Sequence, residues 1–451
     1  MLFVLDHAGR APTAALLVSL SGFLVVAAGA SGGCSDGAGD PSSGVDAAVD
    51  GAEVPDTGGP GDAGTDLVIV AADPADQPLG GLEGEALDRF FRGDGIFDLA
   101  FRRPDGLGPL YIRTSCAACH AGGGRGPGTV QKFQVLDALT MAPLKDAPEM
   151  ALGPTERPYA VAGATRPLLA PASLLPGHTL VTSRRAGPTV MGRGYMEAVL
   201  DSEIERVAAE QAARGDGIHG RINRVTYHSH DVPGVAVSHT LGETGVIGRF
   251  GLKARVATLD DFAADAFQGD MGLTSPLRPD ELANPEGLHD DDKPGPDMAA
   301  QTVTTVAAYV RTIEIPPRSA ARANLAGREA FTQAQCSVCH VPTLKTRPDF
   351  PVKQLANIDA PVFTDMLLHD MGADLADFLT DESAGPRDWR TSPLMALRFQ
   401  RAYLHDGRAL TIEEAILKHA GPGSEANGSV EKFRALDAPA RAALLSFVQG
   451  L

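Results

Sequence analysis

Positive charge is scarce in this chain of 451 residues, where 39 Lys and Arg face 57 Asp and Glu and give a formal net charge of −18. Nucleic-acid binding needs clustered positive charge that displaces counterions from phosphates, so we expect no nucleic-acid partner. Aromatic residues are also few, at 5%, and include one tryptophan. The five cysteines are an odd number, so a framework of disulfides alone would leave one unpaired.

Long apolar runs are limited to one segment near the N-terminus. Residues 14–30 are mainly apolar and are followed by Ser-Gly-Gly and then Cys34. Such a segment indicates a secretory signal, and a cysteine after small residues resembles the cleavage site of a bacterial lipoprotein. A cleaved soluble export signal and an uncleaved anchor are the alternatives. We therefore predict that residues 1–34 are a signal peptide, and that the protein is exported and lipid-anchored through Cys34 in the periplasm or at the outer membrane.

Residues 35–66 lack basic and aromatic side chains. They contain eight acidic residues among Gly, Ala, Pro and Ser, and they show no apolar periodicity. A segment of this composition cannot bury enough apolar surface to offset the entropy lost on ordering. We expect a disordered acidic tether between the membrane anchor and the folded part.

Two C-x-x-C-H motifs account for four of the cysteines. The first is Cys116, Cys119 and His120, and the second is Cys336, Cys339 and His340. This spacing is typical of c-type haem attachment, because two thiols can form thioethers to one porphyrin while the histidine binds the iron. Disulfides and a zinc site are the alternatives, although zinc would need further ligands at finger spacing. We predict two covalently bound c-type haems with His120 and His340 as proximal ligands.

Helical patterns accompany both motifs. A predicted helix within residues 81–103 precedes the first motif, and another within 319–335, with Ser319 as a plausible N-cap, precedes the second. Apolar residues at helical spacing predict a further helix in residues 435–451. The helix before C-x-x-C-H and the C-terminal helix are the pair that cross in a cytochrome c domain.

Longer segments make a specific resemblance. GRFGLKA at 248–254, LLHDMG at 367–372, WRTSPL at 389–394 and YLHDGR at 403–408 resemble motifs of the bacterial di-haem oxidoreductase family, which is also described as thiol oxidoreductase. The family is a peroxidase group related to di-haem cytochrome c peroxidases and to MauG. Leu252 departs from it, because the family usually has Trp there.

The resemblance, which covers roughly residues 80–451, implies a fold. It predicts a mainly α protein with two cytochrome c-like domains, each carrying one covalent c-type haem. The motifs are 220 residues apart in the sequence, so the first domain, 67–315, must be enlarged by insertions, and the second is 316–451.

The resemblance also implies an activity. It predicts an enzyme that reduces hydrogen peroxide or another small oxidant, with electrons from a small redox donor protein relayed through the second haem. A non-catalytic electron-transfer cytochrome and a di-haem oxygenase acting on an organic substrate are the alternatives. Related peroxidases hold calcium, but the GDGI runs at Gly93 and Gly215 are too poor in carboxylates to indicate a calcium site.

Candidate ligands and catalytic groups lie within the family motifs. We predict His405 as the distal ligand of the second haem, and we find no convincing distal methionine for the first, which fits an open, reactive iron. The alternatives to His405 are Met371, Met395 and Tyr403. We predict His369 and Asp370 as the acid–base groups and Trp389 as an electron relay. Cationic side chains of the motifs are predicted to bind the haem propionates: Arg249, Lys253, Arg390 and Arg408.

Overall fold

The computed structural model describes residues 76–124, 129–150, 153–164, 174–282, 294–318 and 321–451. Contacts divide the chain after Pro60, and every described residue belongs to the unit Gly61–Leu451. The predicted signal peptide with Cys34, the predicted tether and the predicted N-cap Ser319 lie outside the described residues. Within those residues, no helix has the length and apolar character needed to span a bilayer.

Helices and short antiparallel strand pairs alternate along the described ranges, and the helices hold more residues than the strands. The helices are α1 (Gly84–Asp98), α2 (Arg193–Ala198), α3 (Asp201–Ala212), α4 (Leu259–Met271), α5 (Ala300–Thr312), α6 (Ala321–Gln333), α7 (Ile412–Leu417), α8 (Asn427–Ala435) and α9 (Ala438–Gly450). The strands are β1 (Leu110–Tyr111), β2 (Val130–Asp137), β3 (Tyr159–Ala160), β4 (His178–Arg185), β5 (Arg224–Thr226), β6 (Thr244–Ile247), β7 (Leu344–Lys345), β8 (Asp359–Ala360), β9 (Leu368–Asp370) and β10 (Asp388–Arg390). They pair as β1–β3, β2–β4, β5–β6, β7–β8 and β9–β10.

Helix α1 confirms the helix predicted before the first motif, and it packs against α5. Phe90 and Phe97 of α1 contact Tyr309 of α5, with ring centroids 5.0 and 5.2 Å apart. Gly93 lies at the crossing, where a Cβ atom would be 2.6 Å from the Thr305 carbonyl oxygen. Only glycine allows the two backbones to come this close.

Helices α6 and α9 confirm the pair predicted around the second motif, and they pack against each other. The crossing again contains a glycine, Gly327, where a Cβ atom would be 2.3 Å from the Ala443 carbonyl oxygen. Phe331 of α6 and Phe447 of α9 meet edge to face at 5.5 Å. The Asp437 side chain caps α9 by accepting a hydrogen bond from the Ala440 amide.

The apolar cores do not separate at residue 315. One cluster joins Met191 and Tyr309 to Phe350, Leu355 and Ala396, so residues from both sides of the predicted boundary share a core. The predicted division at 315 and 316 stays a prediction. The β9–β10 pair places His369 opposite Trp389 in register, so that two predicted site residues are neighbours on one face.

Candidate functional site

The first C-x-x-C-H motif folds as a tight turn that lies beside the end of α1. The backbone amides of Cys119 and His120 both donate to the Cys116 carbonyl oxygen, at 3.0 and 2.8 Å. Phe97 of α1 lies against the His120 ring, with centroids 6.2 Å apart. The Nδ1 atom of His120 is 3.3 Å from the Gly124 carbonyl oxygen. A backbone carbonyl on one ring nitrogen fixes the orientation of an imidazole, as it does for metal-binding histidines.

The second motif repeats this arrangement directly after α6. The His340 amide donates to the Cys336 carbonyl oxygen at 2.9 Å. Nδ1 of His340 donates to the Phe363 carbonyl oxygen at 3.1 Å, which leaves Nε2 with its lone pair. Burial lowers the pKa of His340 to about 4, so the imidazole is neutral at neutral pH, and neutral imidazole is the form that binds a metal.

The four cysteines of the two motifs are free thiols, and none of them is part of a disulfide in the described residues. Burial raises the pKa of Cys116 and of Cys336 to about 12. Thiols with such a pKa are poor nucleophiles at neutral pH, which argues against a redox dithiol at either position. The disulfide alternative therefore has no support from the described residues.

A cavity of about 250 Å³, measured as the space open to the centre of a water molecule, lies beside the second motif. Cys336, Cys339 and His340 line it together with His405 and His419. Apolar side chains from α6, α7, α9 and the loop after β10 form much of its wall, including Phe331, Leu394, Leu397, Ile416, Leu444 and Val448. An apolar cavity with a few polar groups is typical of a cofactor site.

Two buried arginines give the cavity a positive end. Arg193 and Arg390 both line it and are 6% and 5% exposed. Within the described residues, their side chains donate hydrogen bonds to neutral acceptors, such as the Thr189 carbonyl for Arg193 and the Gly251 carbonyl for Arg390. Among the described residues, no carboxylate forms an ion pair with either. Burial lowers the pKa of Arg193 to about 9 and of Arg390 to about 10, and Arg390 also depresses the value for Arg193.

These features fit a haem. An apolar space, an oriented neutral histidine, two adjacent thiols and two buried cations match the ring, iron, vinyl groups and anionic propionates of that cofactor. A buried charge without a counter-ion is costly, so Arg193 in particular indicates an anionic ligand, whereas Asp365 already favours the charged form of Arg390. Arg390 was predicted from the sequence, and Arg193 was not.

A family comparison agrees with this chemistry. The family model described as "Di-haem oxidoreductase, putative peroxidase" matches residues 171–451. The chain belongs to the di-haem oxidoreductase family. The resemblance predicted from the sequence is thereby confirmed, and haem is the cofactor that the family implies. Among curated proteins, none matches this chain significantly.

Three solved structures are similar to this di-haem oxidoreductase at 15% identity. Hydrazine synthase from Kuenenia stuttgartiensis covers 87% of this chain and 100% of its own, with a TM-score of 0.32. A variant of the diheme peroxidase BthA from Burkholderia thailandensis covers 86% and 90%, with a TM-score of 0.34. A MauG-like protein associated with microbial copper homeostasis covers 57% and 87%, with a TM-score of 0.29. TM-scores this low do not establish a shared fold, so the assignment rests on the family match.

The predicted distal ligand His405 lies in the cavity of this di-haem oxidoreductase, but it is held by Trp389. The two rings stack with centroids 3.9 Å apart and an angle of 13°. Trp389 itself is buried, and its indole N–H donates to the Leu375 carbonyl oxygen at 2.8 Å. The Lys253 ammonium lies 4.3 Å from the centroid of the Trp389 ring. His405 is thus part of a stacked cluster at the cavity wall.

His419 also lines the cavity, and the sequence analysis missed it. It follows α7, and its Nδ1 donates to the Ala415 carbonyl oxygen at 2.6 Å. Burial lowers its pKa, so it too is neutral. Its one sequence signal was its position late in the second half, 79 residues after His340, where cytochrome c chains supply a distal ligand.

His369, which was predicted as an acid–base group, lines the cavity and is held by two carboxylates. Its Nε2 is 2.8 Å from Asp365 and its Nδ1 is 2.7 Å from Glu425. Although burial alone would lower the pKa of His369, Asp365 raises it well above the ordinary value. The Cys339 sulfur lies 3.8 Å from Nδ1.

The ligand-bearing atoms of Cys339, Asp365 and His369 are close enough to hold a metal ion. A thioether bond to haem would remove the thiolate of Cys339, which is the form that binds zinc. Asp365 and Glu425 already take up both ring nitrogens of His369. We therefore interpret this cluster as a fixed imidazolium beside the haem cavity.

The remaining predicted residues lie elsewhere. Arg249 pairs with Asp201, Lys253 with Asp377 at 3.0 Å, and Arg408 with Asp406 at 2.6 Å, so these three cations already have protein partners. The Asp370 side chain pairs with Arg387. Met371 lines the cavity, whereas Met395 is fully buried in a separate apolar cluster. Tyr403 also lines the cavity.

The segment 186–189 lies between the His120 ring and the cavity beside His340. A Cβ atom on Gly187 would lie 3.2 Å from Cε1 of His120. Ala186, Pro188 and Thr189 line the cavity beside His340. A few consecutive residues therefore separate the first proximal histidine from the second candidate haem site.

Proposed function

We propose that this protein is an exported di-haem c-type oxidoreductase that reduces hydrogen peroxide with electrons from a small donor protein. The observation that carries the proposal is the cavity beside His340, where free thiols, a neutral imidazole and two buried arginines converge. The turn of the first C-x-x-C-H motif, at His120, has the same backbone geometry and supports a haem site there as well. Family membership supports the redox class.

The folding around both motifs supports two cytochrome c-like units. Each motif follows a helix that crosses a later helix through a glycine, Gly93 in α1 and Gly327 in α6. The shared core between the halves supports close packing of the two proposed units. Covalent attachment would use Cys116 and Cys119 at one site and Cys336 and Cys339 at the other.

The chemistry divides between the two sites. An iron with an open position can bind peroxide, whereas an iron with ligands on both sides passes electrons. Each peroxide molecule takes up two electrons and two protons and yields two water molecules, and the donor protein supplies the electrons. Arg193 and Arg390 would hold the propionates in the second site. The fixed cation of His369 would stabilise negative charge near that site.

Haem content tests the assignment of the cofactors. We expect the mature protein to carry two covalent haems, seen as a haem-stained band after denaturing electrophoresis and quantified as the pyridine haemochrome. Replacing Cys116 and Cys119 with Ser should remove one haem, and replacing Cys336 and Cys339 should remove the other. Two covalent haems in either double variant would contradict the assignment of the motifs.

Stopped-flow spectroscopy of the half-reduced protein tests the activity. We expect peroxide to change the spectrum of one haem and then to oxidise the other. A protein that shows low-spin spectra for both haems and no response to peroxide or cyanide would instead be an electron-transfer cytochrome. A stable oxygen adduct would favour the oxygenase.

We also propose that Cys34 carries the lipid. Incorporation of labelled palmitate into the wild-type chain, and its loss in Cys34→Ser, is the expected result. Labelling that persists in the variant would contradict the proposal.

The net charge of −18 supports a basic donor protein.

A further inference from the structure

The side chain of His419 is fixed by the helix that precedes it. Thr411 caps α7 by accepting from the Glu414 amide, and the helix ends at Leu417. Ile416 and Leu417 pack on the apolar core of α6 and α9. The Nδ1–H of His419 donates to the Ala415 carbonyl oxygen at 2.6 Å. This bond selects the tautomer in which Nε2 holds a lone pair.

The ring of His340 is oriented in the same way as that of His419. Its Nδ1–H donates to a backbone carbonyl, that of Phe363, and Nε2 is left as the free nitrogen. Both rings line one cavity. Two neutral imidazoles of this kind, each oriented by a carbonyl, are a ligand pair for one iron.

His405 and Met371 are the competing ligands, and the structure favours them less. His405 would have to leave its stack on Trp389, where the centroids are 3.9 Å apart. Its Nε2 is directed towards Asp406, at 3.8 Å. Met371 lies directly after β9, and its backbone pairs with Ser424. Its side chain is a thioether, which lacks the carbonyl-oriented ring nitrogen that His419 offers.

We propose that His419 is the second axial ligand of the iron whose proximal ligand is His340. The proposal rests on the proposed function, since it requires a haem at the second motif. Ligands on both faces would suit the second site to electron relay, which is the role that the family resemblance implies for it.

Electron paramagnetic resonance and absorption spectra of the full-length, two-haem protein test this ligation. We expect the oxidised wild type to show one low-spin haem with two nitrogen ligands. His419→Gly should convert that haem to the high-spin state, and added imidazole should restore the low-spin signal. The matched variant His405→Gly should keep it. A low-spin signal that persists in His419→Gly, or is lost in His405→Gly alone, would overturn the proposal.

His419→Met provides a second measurement that does not depend on an open site. Met is a weaker donor to oxidised iron than imidazole, so the reduction potential of the second haem should rise while the haem stays low-spin. An unchanged potential would contradict ligation by His419. Haem content separates the two levels of failure. Fewer than two haems in the wild type would refute the proposed function, whereas two haems with unaltered variant spectra would refute only the role of His419.

Discussion

Arg193 provides a prediction whose sign depends on the ligand. Its guanidinium is 6% exposed, and no carboxylate pairs with it among the described residues. Burial lowers its pKa from the ordinary value to about 9. At about 1.4 kcal/mol for each pH unit, this corresponds to about 5 kcal/mol in favour of the neutral form. Because the folded pKa stays above neutral pH, the residue is charged at pH 7. A folded protein without an anion nearby therefore carries this cost at every pH below about 9.

The change is Arg193→Met, which keeps much of the side-chain volume and removes the charge. If a propionate faces Arg193, the substitution leaves that anion buried without its partner and should destabilise the haem-loaded protein by about 3–5 kcal/mol. If no anion is there, removing the charge should stabilise the protein instead, by up to about 5 kcal/mol. The two cases therefore differ in the sign of the change in the free energy of unfolding.

Urea unfolding of the two-haem protein, followed by the haem absorption band, measures this free energy. Arg102→Met is the matched control, because Arg102 forms a surface ion pair with Asp105 and its side chain is 76% exposed. The control should change the free energy of unfolding by less than about 1 kcal/mol. An Arg193→Met variant as stable as the wild type, or more stable, would refute the assignment of an anion to this end of the cavity.

Three further changes have expected outcomes. Gly327→Val should destabilise the α6–α9 crossing by about 1–3 kcal/mol or more, as measured by thermal unfolding, and full stability would contradict the close approach of the backbones. Gly187→Ala should disturb the His120 ring, since its Cβ atom would be 3.2 Å from Cε1, and should alter the spectrum of the first haem alone. Lys253→Met should make Trp389 easier to oxidise, because an ammonium 4.3 Å from the ring centroid opposes positive charge on the indole. A stronger tryptophan radical signal after peroxide is the expected readout, and an unchanged or weaker signal would argue against this effect.

The local features of the fold could be predicted from the sequence because short-range patterns determine them. The C-x-x-C-H spacing and the apolar periodicity of α9 are contained in a few consecutive residues. The crossing of α6 and α9 was predicted from the helix pair that accompanies C-x-x-C-H in a cytochrome c domain, and Gly327 supplies its physical basis. The shared core across residue 315 could not be predicted, because it joins residues far apart in the chain, such as Met191 and Leu355.

The site was predictable only where its residues belong to a motif. Arg193 and His419 lie outside the quoted motifs, and a sequence does not show whether an arginine is buried or which way an imidazole faces. Arg249 and Lys253 lie in a family motif, and in the structure they pair with Asp201 and Asp377. A sequence does not show these pairings, and the predicted binding of propionates by the two residues stays a prediction.

The Ala186–Thr189 segment offers a route for electrons between the proposed haem sites that does not involve Trp389. Trp389 is stacked on His405 and has cations near its ring, with Lys253 at 4.3 Å and Arg185 at 5.7 Å. Asp377 offsets part of this positive charge, because it pairs with both Lys253 and Arg185, and the role of Trp389 as an electron relay stays a prediction. The segment at Gly187, in contrast, contacts the His120 ring on one side and borders the His340 cavity on the other. We therefore expect electrons to pass between the proposed haem sites through this backbone, with His405 held in its stack on Trp389 and His419 as the proposed distal ligand.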